Sequence, residues 1–441
     1  MSNNLDLKKG LDIPVKGAPA REVVQTVKPG LVAVKPTDFK GLVARLLVKE
    51  GDAVLAGSPV MADKQRPEIL LTSPVSGTVK QIVRGEKRKL LAVLVEADGK
   101  QESVDFGKGV PADAAAARQL LLDSGLWNAI VQRPYGVTPA PDAAPKAIFV
   151  SLFHTAPLAP DTEFTLADSV KELQAGIDLF AKVAPVHASF RKGSTAFKEL
   201  KNATLHEVCG PHPAGNVGVQ ISHISPVLKG ESVWTVSAED LAAIGRLVIT
   251  GKLDLTRKVA VTGPAAEKPA YVVALPGTPV ADIVKADDGV RVIGGDVLSG
   301  EILGKDGYLG FFNHQISLLK EGENREWFGW AKVFRPKVYS SSWCYFSWLT
   351  PRKKYYMDTN LHGGPRAFVQ TKCFEDVTPM DIYPIYLIKA CLAGDIEKME
   401  KFGIYEVLPE DLALCDYVDP SKNEIQSIIG KGIDLMIKEM A

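Results

Sequence analysis

The residues from 41 to 79 repeat one local pattern, in which short runs of β-strand composition end at glycine turns. Gly51, Gly57 and Gly77 suit tight strand connections because glycine adopts positive φ without steric cost. Between these turns, apolar valines recur at the spacing of short strands: Val48, Val54, Val60, Val75 and Val79. The pattern predicts a pair of short strands followed by a second pair that mirrors it.

These mirrored pairs resemble the biotinyl/lipoyl carrier fold, a flattened barrel built from two quasi-symmetric halves. Carrier domains attach their cofactor to a lysine, usually within Met-Lys, at the tip of the hairpin between the halves. The corresponding hairpin here reads M-A-D-K-Q-R-P-E-I from Met61, with Pro67 near the expected modification position and Lys64 displaced from it. We therefore interpret the first domain, residues 1–105, as a structural barrel without a covalently bound cofactor such as biotin.

Composition limits the classes of function open to the chain. Its 52 basic and 52 acidic residues balance, which gives no support for nucleic-acid binding. The N-terminus lacks the apolar segment of a signal peptide, and no stretch approaches the roughly 18 to 20 apolar residues of a membrane span. The five cysteines are widely spaced without a C-x-x-C pair, so neither a zinc ribbon nor a dithiol motif is predicted. We expect a soluble chain that reaches a membrane only through a partner.

Residues 106–256 are predicted to form a Rossmann-like α/β domain. Amphipathic helices are indicated at residues 112–130 and 166–183, and a shorter helix at 196–200. The apolar run at 147–153 is typical of a buried parallel strand, and a second strand is expected at 186–190. Alternation of strands and helices favours an α/β layer with a parallel sheet.

The remaining residues change character twice. Residues 257–335 contain strands, tight turns and the short helix V-A-D-I-V, and resemble the soluble-ligand-binding β-grasp (SLBB) module. Residues 336–441 are predicted to be mainly helical beyond Pro379, with helices at 379–392, 395–402, 410–418 and 424–440 and N-terminal signals at Asp395, Pro409 and Ser421. The fold class is therefore a multidomain α+β protein: barrel-sandwich hybrid, Rossmann-like layer, SLBB module and C-terminal helical domain.

An ordered set of motifs covers nearly the whole chain and is similar to the NqrA family, whose members are subunits of sodium-translocating NADH:quinone reductases. The RnfC protein of the Rnf electron-transport complex and the flavin protein of respiratory complex I are more distant relatives. The motifs are L-K-K-G-L-D-I-P at Leu7, G-L-W at Gly125, R-P at Arg133, A-I-F-V at Ala147, C-G-P-H-P-A-G at Cys209, N-H-Q-I-S-L-L at Asn313, W-F-G-W at Trp327, H-G-G-P-R-A at His362, P-M-D-I-Y-P at Pro379 and E-D-L-A-L-C-D-Y-V at Glu410.

This chain departs from the redox-active relatives in two ways. No G-x-G-x-x-G follows a strand to cradle a nucleotide phosphate, and Pro211 and Pro213 remove backbone donors from the glycine-containing turn at 210–215. Where the Rnf relative carries cysteine-rich iron–sulfur runs in its tail, Cys415 has no neighbouring cysteine here. We expect neither flavin nor an iron–sulfur cluster on this chain.

The turn at 210–215 contains the candidate quinone contacts Gly210, His212 and Gly215. The His212 imidazole could donate a hydrogen bond to a quinone carbonyl, while the two glycines would admit the ring closely. The alternative is a structural turn whose shape the prolines fix. No catalytic residue and no metal ligand is predicted.

Other distinctive residues have plainer interpretations. His314 is expected at a strand within a hydrogen-bonded interior polar cluster. Arg366, after a glycine pair, is a candidate anion contact, although a structural turn is favoured there. Aromatic residues are expected to serve a core or a subunit interface rather than a quinone platform: Trp327, Phe328 and Trp330.

The family resemblance implies a peripheral subunit on the cytoplasmic side of a bacterial inner membrane, within a six-subunit complex. That complex passes electrons from NADH to ubiquinone and exports sodium, and the subunit would contact chiefly a membrane-embedded partner. Ubiquinone is the expected ligand. A cofactor-free scaffold that docks a membrane subunit is the alternative, and a biotin carrier of a sodium-pumping decarboxylase conflicts with the hairpin at Met61.

Overall fold

The computed structural model describes residues 3–322, 327–331, 335, 337–341, 348–369 and 372–440. Two N-terminal strands lie outside the barrel. Asn3–Asp6 pairs with Thr204–Cys209 in the α/β sheet, and Val23–Thr26 pairs with Ala270–Ala274 in another mixed sheet. The barrel sheets therefore begin near residue 31. The two preceding strands pair with distant parts of the chain, and local sequence does not reveal such pairing.

The barrel consists of two facing sheets around a valine-rich core that includes Val32, Val60 and Val93. Positive φ at the three predicted glycine turns confirms the local pattern. In spatial order, the first sheet contains Leu31–Val34, Leu90–Ala97, Gly77–Arg84 and Ala53–Val54, and the second contains Ala44–Leu46, Pro59–Asp63 and Leu70–Thr72.

The hairpin at Met61, which would carry a cofactor in a carrier domain, is held by hydrogen bonds to other parts of the chain. Asp63 is fully buried and accepts hydrogen bonds from the backbone N–H groups of Val43 and Gln65. Arg66 donates to Asp63 at 2.9 Å and to the carbonyl of Thr138 at 3.0 Å. The tip thus packs against the α/β domain.

The α/β domain contains a six-stranded sheet that is parallel except for its last strand. The predicted helix at 196–200 is wrong, since residues 196–199 form turns. The strands, in spatial order, are Asn3–Asp6, Thr204–Cys209, Val186–Arg191, Ile148–Ser151, Val233–Thr235 and Val131–Arg133. The helices are Ala114–Asp123, Thr162–Thr165, Val170–Phe180, Val217–Ile224 and Ala238–Thr250.

A second mixed sheet and its short helix Val280–Ile283 form the next unit, as the SLBB resemblance predicts. Val259, Val272 and Ile316 lie in its core. The strands, in spatial order, are Glu301–Ile302, Val290–Gly294, Gln315–Lys320, Arg257–Thr262, Ala270–Ala274 and Val23–Thr26.

The C-terminal unit is helical, and its helices pack around Met399, Cys415 and Ile429. Burial raises the pKa of the Cys415 thiol to about 12, so this cysteine is a neutral core group. The helices are Cys373–Val377, Pro384–Ala393, Ile396–Phe402, Ala413–Val418 and Ile425–Met440. Short 3-10 helices lie at Pro36–Asp38, Glu86–Arg88, Leu126–Ala129, Gly329–Ala331 and Pro409–Leu412.

Two of the three predicted N-terminal signals in this unit are confirmed. The Asp395 side chain accepts a backbone N–H in the first turn of Ile396–Phe402, and Pro409 opens a 3-10 helix. The helix predicted at 424–440 is confirmed as Ile425–Met440, but its signal at Ser421 is wrong, because the Ser421 hydroxyl donates to a carbonyl outside that helix. Asp416 accepts the first N–H groups of that helix instead, at Ile425.

Two stacked histidines on neighbouring strands of the α/β sheet predict a pH-dependent stability. His187 Nδ1 lies 2.9 Å from His206 Nε2, and burial together with His187 lowers the pKa of His206 to about 4. An unfolded histidine binds a proton near pH 6.5, so the contribution of His206 is present above pH 6.5 and lost as pH falls to 4. The loss is at most about 3 kcal/mol, at roughly 1.4 kcal/mol per pH unit.

His206→Gln keeps a hydrogen-bonding side chain but does not titrate. Between pH 7.5 and 4.5 the variant should lose less protection than the parent chain. The measurement is hydrogen exchange in peptides that cover Val186–Arg191 and Thr204–Cys209. Equal pH dependence in the two proteins would show that His206 already binds a proton in the folded state.

Candidate functional site

A cleft of about 560 Å³ opens at the carboxyl ends of the parallel strands. From the strand Ile148–Ser151, the chain proceeds to Val186–Arg191 on one side and later to Val233–Thr235 on the other. The order of the sheet therefore reverses at this strand, and ligands of open α/β sheets bind outside such a reversal point. Loops that follow Ser151, Cys209 and Thr235 contribute to the cleft, together with residues 294–301.

His212 is held in the cleft wall by the N-terminal segment. Its backbone N–H donates to Asp12 Oδ1 at 2.9 Å, and its carbonyl accepts from the Leu11 N–H at 2.8 Å. Gly10 is required beside it, because a Cβ at this positive-φ position would overlap the His212 carbonyl oxygen. The side chain is only 4 % exposed, so its orientation is fixed by packing.

The hydrogen bonds of His212 determine which ring nitrogen carries the proton. Burial lowers the pKa of His212, and the imidazole is therefore neutral at pH 7. The Thr155 hydroxyl accepts from the Gly215 N–H at 2.8 Å and lies 3.1 Å from His212 Nδ1. When that hydroxyl donates to Nδ1, the single imidazole proton resides on Nε2. The described part of the chain offers Nε2 no hydrogen-bond partner.

The two predicted glycines occupy different places. Gly215 lines the cleft and packs against Thr155, whose backbone nitrogen would be 2.7 Å from a Cβ at position 215. Gly210 has positive φ and lies against Leu7 outside the lining of the cleft. The structure thus brings His212 and Gly215 together in the wall, with Gly210 shaping the entry to their turn.

Asn313 contributes a second donor that sequence reasoning did not identify. Its side-chain nitrogen is buried, and the residues that the structure describes give it no hydrogen-bond partner. Gly294 makes room for this amide, since a Cβ there would overlap the nitrogen. With the imidazole proton of His212 on Nε2, the cleft presents two N–H donors that have no partner among the described residues, on Asn313 and on His212.

The charges around the cleft do not favour a phosphate ligand. Of the described residues that line it, Lys40 alone has a fixed positive charge, against four carboxylates: Asp38, Asp296, Glu301 and Glu410. Asp296 accepts from the Leu298 and Ser299 N–H groups and from the Ser299 hydroxyl. Asp38 and Glu410 form ion pairs with Lys35 and Arg133, so the cleft has no surplus positive charge for a phosphate, whereas a neutral ligand with carbonyl oxygens would find donors.

Comparison with known proteins gives the family. Sequence models of the NqrA family match residues 5–98 as the N-terminal barrel-sandwich hybrid domain, 112–253 as the second alpha/beta domain and 258–304 as the C-terminal domain. The NqrA subunit of the Na(+)-translocating NADH-quinone reductase from Serratia proteamaculans is 36% identical, covering 96% of this chain and 97% of its own length. The chain belongs to the NqrA family. The NqrA subunits of Neisseria meningitidis and Yersinia pestis are each 35% identical, over 99% and 96% of this chain.

Membership of the NqrA family confirms the predicted resemblance and the fold class of barrel, α/β layer and SLBB module. Relatives in this family are named as subunits of a reductase complex that acts on NADH and quinone. Within the part of the chain that the structure describes, no helix is long and apolar enough to cross a membrane.

Several sequence-predicted residues lie away from the cleft of this NqrA family member. Trp327 and Phe328 are exposed by 83% and 54%, so they are not core residues, and the Trp330 side chain lies outside the described residues. Arg366 is exposed, and its backbone N–H donates to the Ser421 carbonyl. The interface interpretation of the aromatic residues stays a prediction.

His314 lies in a buried polar cluster, as predicted. The Arg257 guanidinium donates to His314 Nδ1 at 3.1 Å, which leaves the proton of the neutral imidazole on Nε2. That nitrogen lies 3.8 Å from Glu239 Oε2. Burial alone would raise the pKa of Glu239, but the neighbouring histidine side chains outweigh burial and hold that pKa below its ordinary value.

Proposed function

We propose that this chain is a peripheral subunit on the cytoplasmic side of a bacterial inner membrane, within a Na+-translocating NADH:ubiquinone reductase. In this proposal it contributes to the reduction of ubiquinone coupled to Na+ export, and a membrane-embedded subunit is its chief partner. Full-length similarity to NqrA subunits supports the assignment to the complex. No flavin, iron–sulfur cluster or covalent cofactor on this chain forms part of the proposal.

The quinone headgroup would bind in the cleft at the carboxyl edge of the parallel sheet. The observation that carries this proposal is the pair of unpaired donors, His212 Nε2 and Asn313 Nδ2, in a cleft without surplus positive charge. A quinone is neutral and carries two carbonyl oxygens that accept hydrogen bonds. The Asn313 nitrogen is buried, and leaving such a donor unpaired costs about 1–3 kcal/mol, which is recovered when a carbonyl enters.

A cofactor-free docking subunit is the second candidate, because large apolar side chains are exposed around residues 327–361. Exposed large aromatic side chains are enriched at subunit interfaces. The exposed side chains are Trp327, Phe328, Trp348, Leu349, Tyr356 and Leu361. Quinone binding by the isolated chain separates the two functions, since a pure scaffold would bind none.

His212→Ala should weaken quinone binding about fivefold. The change removes one neutral hydrogen bond, worth ~1 kcal/mol, and His212→Gln should retain part of it through its amide N–H. Saturation-transfer NMR of the isolated chain with the short-chain quinone ubiquinone-1 measures the affinity. The melting temperature of each variant is recorded in parallel.

His223→Ala is the matched control, because His223 is exposed on the neighbouring helix Val217–Ile224 and does not line the cleft. It should leave quinone affinity unchanged. If His212→Ala lowers the melting temperature but leaves quinone affinity unaltered, the turn has only a structural role and the quinone binds elsewhere.

A further inference from the structure

A second cavity of about 220 Å³ lies behind the cleft, and Glu239 stands between the two. Glu239 and Arg257 line this outer cavity, whereas His154 lines the cleft. His154 Nε2 lies 3.7 Å from Glu239 Oε1. A single carboxylate therefore connects an imidazole at the cleft wall with a separate pocket on the other side.

The nitrogen and oxygen atoms around the Glu239 carboxylate are buried and make no hydrogen bonds within the described residues. In the described residues, His154 Nε2, His314 Nε2 and both Glu239 carboxylate oxygens have no hydrogen-bond partner. The His154 side chain is nevertheless 29% exposed. His154 therefore borders the cleft while its Nε2 is buried beside Glu239.

Among Glu239, His154 and His314, the surrounding charges favour a proton on His154. Arg257 offsets Asp240 at 3.0 Å, and burial lowers the pKa of His314, which stays neutral. Burial alone would lower the pKa of His154, but Glu239 outweighs it, with a smaller contribution from Asp296, and raises that pKa. His154 beside the Glu239 carboxylate therefore holds a proton more readily than a free imidazole does.

We propose that Glu239 and His154 conduct protons from the outer cavity to a quinone in the cleft. This inference rests on the proposed function. Conversion of a quinone to a quinol adds two electrons, which the reductase takes from NADH, and two protons. A proton held on His154 passes to a quinone oxygen, after which Glu239 passes on a proton taken from water in the outer cavity. The second proton follows by the same route.

Glu239→Gln tests the route because an amide has nearly the same shape but cannot carry the proton. In the assembled complex, NADH-driven reduction of ubiquinone-1 should fall at least tenfold. Reduction of ferricyanide, which accepts electrons without protons, should be unchanged. Glu239→Asp, which keeps a carboxylic acid, should restore part of the ubiquinone-1 rate. The affinity of the isolated chain for ubiquinone-1 should stay within twofold of the parent value.

Asp168→Asn is the matched control, since Asp168 lines the same outer cavity but its side chain is 89% exposed. It should leave both rates unchanged. If Glu239→Gln prevents assembly, His154→Gln interrupts the same route and is assayed in the same way.

The outcomes separate the two proposals. If the Glu239→Gln complex reduces ubiquinone-1 at the parent rate, the proton route is overturned. The route is also overturned if the variant loses quinone affinity and reduction rate to the same extent, because Glu239 would then only support the structure of the cleft. If the parent chain binds no ubiquinone-1, the proposed function fails and the proton route fails with it. A selective loss of quinone reduction with intact affinity supports the route.

Discussion

Arg133→Met should reduce the free energy that holds the C-terminal helices against the α/β domain by about 3–5 kcal/mol. Arg133 is 3% exposed at its side chain and donates to Asp411 at 2.6 Å and to Glu410 at 2.8 Å. Asp411 is fully buried and also accepts the Leu408 N–H. Methionine fills similar space but leaves the Asp411 carboxylate without a counter-charge, and such a charge is costly inside a protein.

Hydrogen exchange in peptides from Pro384–Ala393 and Ile425–Met440 measures this docking energy directly. Lys229→Met is the matched control, because Lys229 joins the same two domains through Glu400 but is 62% exposed. An exposed pair of this kind contributes under about 1 kcal/mol. Similar loss of protection in both variants would mean that the Arg133 cluster is solvated and contributes no more than a surface pair.

Local signals are sufficient to predict the barrel turns and the parallel strand near residue 148. They do not predict the N-terminal strand Asn3–Asp6, because its identity depends on pairing with Thr204–Cys209, about 200 residues away. Pairing between strands so far apart in the sequence cannot be predicted from local hydrophobic periodicity. The same limit applies to Ser421, where a competing acceptor, Asp416, occupies the helix start.

In the candidate site, too, some residues can be predicted from local sequence and others cannot. The sequence places His212 in a proline-flanked turn, and its position after a strand brings it to the carboxyl edge of the sheet. Thr155 and Asn313, which define the donors of the cleft, come from other parts of the chain and meet His212 only through tertiary packing. Glu239 follows the helix cap Ser237, so its sequence context indicates only an ordinary helix start.

Arg257→Met should weaken the attachment of the SLBB sheet to the α/β domain by about 3–5 kcal/mol. The Arg257 and Asp240 side chains are 4% and 1% exposed and form an ion pair at 3.0 Å. Arg257 also donates to the Phe311 carbonyl at 3.0 Å and to His314 Nδ1. Its loss leaves Asp240 buried with the Ser237 hydroxyl as its remaining side-chain donor among the described residues.

Hydrogen exchange in the strand Arg257–Thr262 reports this attachment, and two further variants separate charge from packing. Asp168→Asn removes an exposed partner of Lys258 at the same domain junction and should cost under about 1 kcal/mol. The double variant Arg257→Met/Asp240→Leu should regain most of the lost protection, since replacing both members of a buried pair with apolar groups is often nearly neutral. If the double variant is as weak as Arg257→Met, the loss comes from the contacts of Arg257 with Phe311 and His314 rather than from an unpaired Asp240.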